Sequence, residues 1–409
     1  MTRSRRFALA FIASVTTLAS GVAFAQTGYP TKPIKVVVPF PAGSTTDIIA
    51  RAIADKMSQS MGQPLVIDNR GGASGTIGQQ AVATAPADGY TIMVHSSSHT
   101  VSPSTFAKLP FDTLNDFAGV TSISSTPNVL VMSPSKNIKT LQELLAAARA
   151  KPGSMNFASA GQGSATHLNA EKFKLAAKIE ATNIPFKGSS EAVTEIISGR
   201  VDYYFSPIAP VIGQIRNGQL VPLAVGSSKR ATALPQVPTT AEAGVPGSEF
   251  NFWIGMMVPA KTPRDIVNRL NDEVIKALAT PEVKERFTAL GADAWTMKPE
   301  QFDAYIRDEI KSNAVLVKAA GLAPAPCQFG RRPPAAFAGP SLQPGRGPRP
   351  ARPDRRRSAG RPAGRPCGPA RSPARRRPSP AGRRTRRPPG ECAPSPVATL
   401  RAAERKAGR

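Results

Sequence analysis

The amino-acid sequence predicts an α/β protein of two domains, followed by a disordered C-terminal tail. Two observations lead to this prediction. As far as residue 326, short runs of β-branched and aromatic residues alternate with amphipathic helical patterns. Such an order is typical of mainly parallel sheets with right-handed crossovers. After residue 326 the composition changes abruptly, and proline and arginine dominate the rest of the chain.

Nine runs along the body are predicted as largely buried strands. They are residues 34–40, 65–68, 91–95, 128–133, 155–159, 182–186, 201–205, 220–226 and 252–258. Capping residues at Thr140, Ser189 and Thr262 mark the starts of helices, each followed by apolar side chains at helical spacing. A body of this length can bury a large core, and two domains are the usual expectation.

The positive charge of the chain is concentrated in its tail. The whole chain carries a net charge of +26, of which residues 327–409 account for +19. Residues 26–326 carry only +4. A strongly basic chain suggests nucleic acid or an anionic surface as a partner. Because the body lacks that excess, we expect it to have no nucleic-acid partner.

The tail, residues 327–409, contains 17 prolines and 21 arginines but one lysine, and it lacks isoleucine, methionine and tyrosine. It cannot bury enough apolar surface to offset chain entropy, so we expect disorder. One interpretation is an arginine-rich arm that binds nucleic acid or an anionic surface. The other is GC-rich DNA read in a shifted frame. The near absence of lysine and aromatic residues favours the shifted frame.

The first 25 residues have the pattern of a secretory signal peptide. Three arginines within the first six residues precede an apolar or small stretch at 7–24, and Ala23 and Ala25 give a small-x-small cleavage site before Gln26. A membrane anchor is the alternative, since the stretch approaches spanning length. Its small, weakly apolar residues favour cleavage. We therefore expect export to the periplasm.

The cysteine distribution excludes several kinds of site from the body. Cys327, Cys367 and Cys392 all lie in the tail. The body therefore has no disulfide, no cysteine-ligated metal and no thiol nucleophile. His95 and His99 have the spacing of a metal pair but no evident third ligand. We expect no metal and no cofactor.

Four predicted strands run directly into loops rich in glycine, serine and threonine that open helices. These loops are residues 39–47, 69–76, 95–100 and 159–167. Helix N-termini expose unpaired N–H groups and a partial positive charge. In open α/β sheets, ligands bind beyond the carboxyl ends of the strands. Several such loops at one cleft suit a small anion such as a carboxylate, whereas ordinary helix capping is the alternative for any single loop.

Catalytic motifs give little support to an enzyme. The sequence contains no Walker A loop, no G-x-G-x-x-G fingerprint and no G-x-S-x-G elbow. A cofactor-free hydrolase that uses Ser164 and His167 stays open as an alternative. Lys187 follows a predicted strand and is a candidate to face an anion, with a solvated lysine as the equal alternative.

The order of several motifs resembles a known family. They are Pro-Phe-x-Ala-Gly at 39–43, Asn-Arg-Gly-Gly-Ala-Ser-Gly at 69–75, Ser-Ala-Gly-x-Gly-Ser at 159–164, Pro-Phe-Lys-Gly at 185–188 and Leu-Pro-x-Val-Pro-Thr at 234–239. Together they resemble the Bug-type periplasmic solute-binding proteins of tripartite tricarboxylate transporters, over about residues 29–322. The resemblance implies a type II periplasmic-binding-protein fold, in which two crossover strands join two α/β domains. It also implies a carboxylate ligand between the domains and delivery to membrane permease subunits.

Two residues depart from the family pattern. Ser44 stands where the family often has a second glycine, and Gly71 stands where it often has proline. Both are expected beside the cleft, so we expect them to affect ligand specificity.

These observations lead to one set of expectations. Domain 1 comprises residues 26–122 and 232–326, and domain 2 comprises residues 123–231. The protein is expected to be a monomer that captures a dicarboxylate, a tricarboxylate, an amino acid or an aromatic acid by hinge closure, with no bond chemistry. The predicted ligand-binding residues of domain 1 are Phe40, Ala42, Gly43, Ser44, Thr45, Thr46, Ser74, Gly75, Ser96, Ser97 and Ser98. Those of domain 2 are Gly161, Gly163, Ser164, Thr166, His167, Lys187, Gly188 and Ser206.

Overall fold

The computed structural model describes residues 28–324. The predicted signal peptide (residues 1–25) and the predicted tail (residues 327–409) lie outside the described residues. The predictions for them stay predictions. Within residues 28–324, no helix combines the length and the apolar character that a membrane crossing requires.

The described residues form eleven strands and ten α-helices. The strands are β1 (Ile34–Val38), β2 (Leu65–Asn69), β3 (Thr91–Ser96), β4 (Phe117–Ser125), β5 (Asn128–Met132), β6 (Met155–Ser159), β7 (Ala181–Pro185), β8 (Tyr203–Pro207), β9 (Val221–Val225), β10 (Trp253–Pro259) and β11 (Asp293–Ala294). The helices are α1 (Thr45–Met61), α2 (Thr76–Ala83), α3 (Ser98–Thr105), α4 (Leu141–Ala150), α5 (Ala165–Ala177), α6 (Ser189–Ile197), α7 (Ile212–Arg216), α8 (Arg264–Ala279), α9 (Pro281–Leu290) and α10 (Pro299–Ala319). Short 3₁₀ turns lie at Ala73–Gly75 and Pro134–Lys136.

The strands form two sheets. The first has the order β11-β4-β10-β3-β1-β2, and the second has the order β7-β6-β8-β5-β9. We call each sheet with the helices packed on it a lobe. The first lobe therefore contains β1–β4, β10 and β11, and the second contains β5–β9. This is the predicted two-domain α/β architecture.

The prediction of mainly parallel sheets is wrong. In each sheet three strands pair in parallel, β2-β1-β3 in the first and β7-β6-β8 in the second. β10 is antiparallel to β3 and β4, and β5 is antiparallel to β8 and β9. The physical reason is the route of the chain: β5 and β10 enter their sheets from the other lobe. They begin beside the carboxyl ends of β8 and β3 and must run the opposite way.

Two strands escaped prediction. β4 contains three serines and one glycine among its nine residues, and these residue types are not typical strand formers. It forms because it lies between β10 and β11, where even Ser122 and Ser124 are buried. β11 has only two residues and carries no pattern that could be recognised.

The helix starts agree largely with their capping signals. Thr140 accepts the amide of Glu143 at 3.2 Å, and the Glu143 carboxylate accepts the amide of Lys139 at 2.6 Å. The Thr140 cap forms as predicted, but the reciprocal bond of the predicted capping box goes to Lys139, the residue before the cap, and not to the Thr140 amide. Ser189 was predicted as the cap of α6, but it is the first residue of that helix. Gly188 lies at the N-cap position.

Two crossing segments join the lobes, one after β4 and one after β9. They are hydrogen-bonded to each other: the Thr126 amide donates to the Phe252 carbonyl at 2.8 Å, and the Gly226 amide donates to the Asn128 carbonyl at 2.7 Å. The Phe250 amide also donates to the Gly226 carbonyl at 2.8 Å. Two adjacent crossings of this kind form a natural hinge.

The packing of the second crossing segment bears on the domain boundary. Leu234 and Val237 pack in the core on one face of the second sheet, and Ala243 and Val245 pack in the core on its other face. We therefore propose that the chain returns to the first lobe after Val245, later than the boundary expected at residue 232.

Candidate functional site

A small cavity of about 10 Å³ lies between the two lobes, at the carboxyl ends of the parallel strands. Its walls come from both lobes and from one crossing segment. They are formed by Phe40, Ser44, Thr45, Thr46, Ser96, Ser98, Ala160, Thr166, Ser189 and Phe252. Seven of these residues were predicted from the strand-end loops, and Ala160, Ser189 and Phe252 were missed. Because the loops converge here, this cavity is the candidate site.

The N-terminus of α1 supplies the first wall. Ser44 caps the helix, and its hydroxyl accepts the Asp47 amide at 3.3 Å. The Asp47 carboxylate accepts the Gly43 amide at 2.8 Å, so the Gly43 amide is already used. The amides of Thr45 and Thr46 have no hydrogen-bond partner within residues 28–324, and the buried Thr45 hydroxyl has none either. These donors and the positive end of the helix dipole meet the cavity.

The charge of Asp47 is balanced behind this wall. Burial alone would raise the pKa of Asp47, but hydrogen bonds from Arg51, Gly43 and Asn69 lower it below its usual range. The Arg51 guanidinium lies 2.9 Å from the carboxylate. The carboxylate therefore holds the loop before α1 without presenting an unbalanced negative charge to the cavity.

The serine loop after β3 contributes a hydroxyl with a defined orientation. The Ser96 hydroxyl donates to Ser98 Oγ at 3.2 Å, and the Ala165 amide at the start of α5 donates to the same oxygen at 3.0 Å. Ser98 therefore accepts two hydrogen bonds from the protein, and its own hydrogen has no acceptor among the described residues. The contact with Ala165 also ties the two lobes together.

The N-terminus of α5 supplies the second wall. Ser164 caps it and accepts the His167 amide at 3.3 Å. The Thr166 hydroxyl accepts the Ala160 amide at 2.9 Å and lies 3.1 Å from Ser164 Oγ. Thr166 reaches the cavity, whereas Ser164 lies one layer behind it.

His167 was predicted as a ligand-binding residue, but its imidazole is not part of the cavity wall. Nδ1 accepts the Gly163 amide at 3.1 Å, and Nε2 lies 3.6 Å from Glu171 Oε1. The ring stacks on Phe157. Both nitrogens are thus directed away from the Ser164 hydroxyl, and this geometry gives no nucleophile–base pair for the hydrolase alternative.

Three other predicted residues also lie off the cavity. The Lys187 side chain is exposed, and only its backbone amide is engaged, donating to Glu191 at 3.0 Å. Ser97 and Ser206 are fully buried, and the Ser206 hydroxyl donates to the adjacent Pro207 carbonyl at 2.9 Å. These residues were chosen by type, and the local backbone turns them away.

The remaining predicted residues line the seam where the lobes meet, outside the cavity itself. The Ser74 hydroxyl donates to the Gln162 carbonyl at 2.6 Å across this seam. Ala42 and Gly43 are exposed at its edge. Gly75 packs against His95 under the loop, and a Cβ there would lie 2.9 Å from that imidazole.

The glycines at the seam permit the close approach of the lobes. A Cβ on Gly161 would lie 2.6 Å from Ser74 Oγ, and one on Gly163 would lie 2.5 Å from Thr105 Oγ1. A Cβ on Gly188 would lie 3.0 Å from the Pro41 ring. A larger residue would meet the other lobe at each of these positions, most severely at Gly163, where Thr105 Cβ would lie 2.8 Å away.

The two family departures lie where expected. Ser44 is part of the cavity wall. Gly71 packs on the loop before α1, since a Cβ there would lie 3.0 Å from the Pro41 ring.

The histidine pair His95 and His99 is buried beneath the serine loop. Burial lowers the pKa of both imidazoles, to about 3 for His99, so both are neutral. His99 Nδ1 lies 2.9 Å from Gln79 Oε1. Among residues 28–324, no cluster of three or more histidine, cysteine, aspartate or glutamate side chains could hold a metal ion.

A cavity between two α/β lobes, with two hydrogen-bonded crossing segments as the hinge, defines a two-lobed solute-binding protein of the type II periplasmic-binding fold. Residues 49–322 match the family described as "Tripartite tricarboxylate transporter family receptor", and the chain belongs to this family. The resemblance found in the sequence is thereby confirmed.

Relatives and solved structures agree with this assignment. Protein BugT of Bordetella pertussis is 39% identical over 72% of this chain and 90% of its own length. The structure described as R. palustris Rpa4515 with adipate is 34% identical, with a TM-score of 0.70, over 73% of this chain and all of that one. MatC (Rpa3494) from Rhodopseudomonas palustris with bound malate is 32% identical, with a TM-score of 0.67, over 71% of this chain and all of that one.

Proposed function

We propose that this protein captures a small organic acid by a carboxylate group in the cavity between its lobes. The observation that carries the proposal is the donor character of the cavity wall. Ser98 in the first lobe and Ser189 in the second each accept hydrogen bonds from the protein, so each has a hydrogen left for a ligand. The amides of Thr45 and Thr46 add two more donors. An ionised carboxylate only accepts hydrogen bonds, so it complements this wall.

The charge of the ligand is met without a cationic side chain. None of the ten described residues that form the wall is charged. Instead, the positive end of the 17-residue helix α1 faces the cavity. Hydrogen bonds to a charged acceptor contribute about 1.5–3 kcal/mol each. Several such hydrogen bonds together stabilise the bound acid, and each is weak enough for the acid to be released.

The apolar part of the wall favours an acid with a carbon skeleton. Phe40 and Phe252 supply apolar surface to the cavity wall. The cavity volume of about 10 Å³ has room for about one water molecule, so an acid enters only when the lobes separate. The related Rhodopseudomonas proteins carry adipate and malate in their structures. We therefore expect a dicarboxylate, ahead of an amino acid, a tricarboxylate or an aromatic acid.

The same proposal includes the place of action and the partner. The signal-peptide pattern of residues 1–25 supports export to the periplasm. Membership of the receptor family supports delivery to the permease subunits of a tripartite tricarboxylate-type transporter.

A thermal-shift panel tests the proposal. Adipate, malate, citrate, aspartate and benzoate are added to the purified protein, with the diamide adipamide as a neutral control. At about 100 times its Kd, a bound acid adds roughly 2.7 kcal/mol to stability, which corresponds to several degrees in Tm. The acid should be recovered unchanged. A panel in which no carboxylate raises Tm would contradict the proposal.

A pair of serine variants then locates the binding site. Ser98→Ala removes a donor from the cavity wall and should weaken the best acid of the panel by about tenfold. Ser97→Ala is the matched control, because the Ser97 hydroxyl is buried and lies off the cavity with no partner among the described residues. Equal affinities for the two variants would place the acid elsewhere.

A further inference from the structure

The phenol of Tyr204 lies directly behind the cavity wall of the second lobe. Tyr204 is on β8, its side chain is fully buried, and it packs in the core on the face of the sheet that α6 covers. Its hydroxyl donates to Ser189 Oγ at 3.1 Å. Ser189 is the first residue of α6 and lines the cavity. The phenol is therefore one hydrogen bond away from a ligand in the cavity.

The hydrogen-bonding capacity of Ser189 determines what this contact does. A serine hydroxyl has one hydrogen and two lone pairs, so by itself it can donate to a ligand or accept from one. The Tyr204 hydroxyl occupies a lone pair of Ser189. No atom of residues 28–324 accepts the Ser189 hydrogen, and the cavity is the polar space that the side chain borders.

Tyr204 keeps its hydrogen under all ordinary conditions. Burial raises the pKa of this phenol to about 12, and the neighbouring hydroxyls of Ser189, Thr166 and Ser206 offset only part of that effect. The phenol therefore keeps the hydrogen that it donates to Ser189. Ser206, which was predicted to touch the ligand, is instead buried beside the Tyr204 hydroxyl.

We propose that Tyr204 is a positioning residue that fixes Ser189 as a hydrogen-bond donor toward the ligand. The inference rests on the proposed function, since it assigns a role to a residue that supports the same cavity. It goes beyond that function because Tyr204 itself does not touch the ligand. With the orientation of Ser189 fixed in advance, the ligand group that meets the second lobe must be a hydrogen-bond acceptor.

The neighbouring tyrosine provides a matched control. Tyr203 is the preceding residue on β8, is equally buried, and packs in the core on the opposite face of the sheet. Its hydroxyl has no partner among the described residues. Tyr203→Phe and Tyr204→Phe therefore remove the same atom from the same strand, but only Tyr204→Phe removes a hydrogen bond to the cavity wall.

A double-mutant cycle tests the proposal. Isothermal titration calorimetry with adipate and with malate measures Kd for the wild type, Tyr204→Phe, Ser189→Ala, the double variant and Tyr203→Phe. We expect Tyr204→Phe to raise Kd about tenfold, as the partial loss of a hydrogen bond to a charged acceptor. The double variant should bind as Ser189→Ala does, because Tyr204 acts only through that hydroxyl. Tyr203→Phe should leave Kd unchanged.

The outcomes separate the two proposals. A wild-type Kd retained by Tyr204→Phe, or losses that multiply in the double variant, would overturn the role of Tyr204. So would an equal loss in Tyr203→Phe, which would show a general effect of removing a buried phenol hydroxyl. Thermal unfolding without ligand checks that each variant folds. A wild type that binds neither acid nor any other of the panel would overturn the proposed function, and the role of Tyr204 with it.

Discussion

Replacing Gly163 by alanine should hold the lobes apart and weaken ligand binding. Gly163 lies between β6 and α5, and its backbone has φ +77°. A Cβ there would lie 2.5 Å from Thr105 Oγ1 and 2.8 Å from Thr105 Cβ, where ordinary contact begins near 3.4 Å. Thr105 Cβ is fixed to the backbone of α3 in the other lobe. A rotation of the Thr105 side chain therefore cannot relieve the contact, and the lobes must move.

The expected magnitude follows from this overlap. Forcing a methyl group into packed space costs about 1–3 kcal/mol. Because the overlap exists only when the lobes are closed, the cost is subtracted from the binding free energy, and Kd should rise about 5- to 150-fold. The strain of alanine at positive φ, about 1–2 kcal/mol, is present in open and closed forms alike and cancels in binding.

Gly153→Ala is the matched control. Gly153 lies in the same lobe with φ +73°, but a Cβ there would meet nothing nearer than Glu180 Oε2 at 3.8 Å. Both variants should lose similar stability in urea denaturation, and only Gly163→Ala should lose affinity for the best acid of the panel in calorimetry. Small-angle scattering with saturating acid should show the more open form only for Gly163→Ala. Equal Kd values for the two variants would show that a side chain at position 163 does not keep the lobes from closing.

Three further predictions concern buried and exposed groups near the site. Burial raises the pKa of Glu309 from 4.5 to about 7; the folded state therefore keeps a proton that the unfolded state loses as pH rises from about 4.5 to 7. The free energy of unfolding should fall by at most about 3 kcal/mol across that window. Glu309→Gln should abolish this fall in urea titrations at pH 4.5 and 8. An equal loss of unfolding free energy between pH 4.5 and 8 in both proteins would contradict this prediction. Lys187→Ala should leave Kd for adipate and malate within about twofold, since the side chain is exposed away from the cavity, and a tenfold loss in calorimetry would restore Lys187 to the site. His167→Ala should lower the free energy of unfolding by about 2 kcal/mol, because the Gly163 amide loses its acceptor. An unchanged urea midpoint would show that the Gly163–His167 hydrogen bond does not stabilise the fold.

The sequence was most informative about the loops at the strand ends. Glycine followed by serine or threonine after a buried strand has a simple cause, because a helix N-terminus must be capped and approached closely. The residues chosen by that logic include Ser44, Thr45, Ser98 and Thr166, which line one cavity in the structure. The family motifs added the connection by two crossing segments, which local patterns do not contain.

The failures have physical causes that a local pattern does not reveal. Lys187 and His167 were chosen because their side chains can meet an anion, but the direction of each side chain depends on tertiary contacts with Glu191, Gly163 and Glu171. Ser189 was interpreted only as a helix cap, although its strand-end position could have indicated the cavity.

The missed strand β4 shows the same limit at the level of the fold. Its three serines and one glycine weaken the local strand pattern, and pairing with two neighbouring strands holds the segment as a strand. The tertiary position of such a segment overrides its weak propensity.

A crystal structure of the protein with the tightest acid of the panel would show whether the cavity holds the carboxylate. We predict a carboxylate between the lobes, with its oxygens about 2.6–3.2 Å from the amides of Thr45 and Thr46 and from the hydroxyls of Ser98 and Ser189. An acid bound outside this cavity, or held there with its carboxylate on a charged side chain such as Lys187, would contradict it.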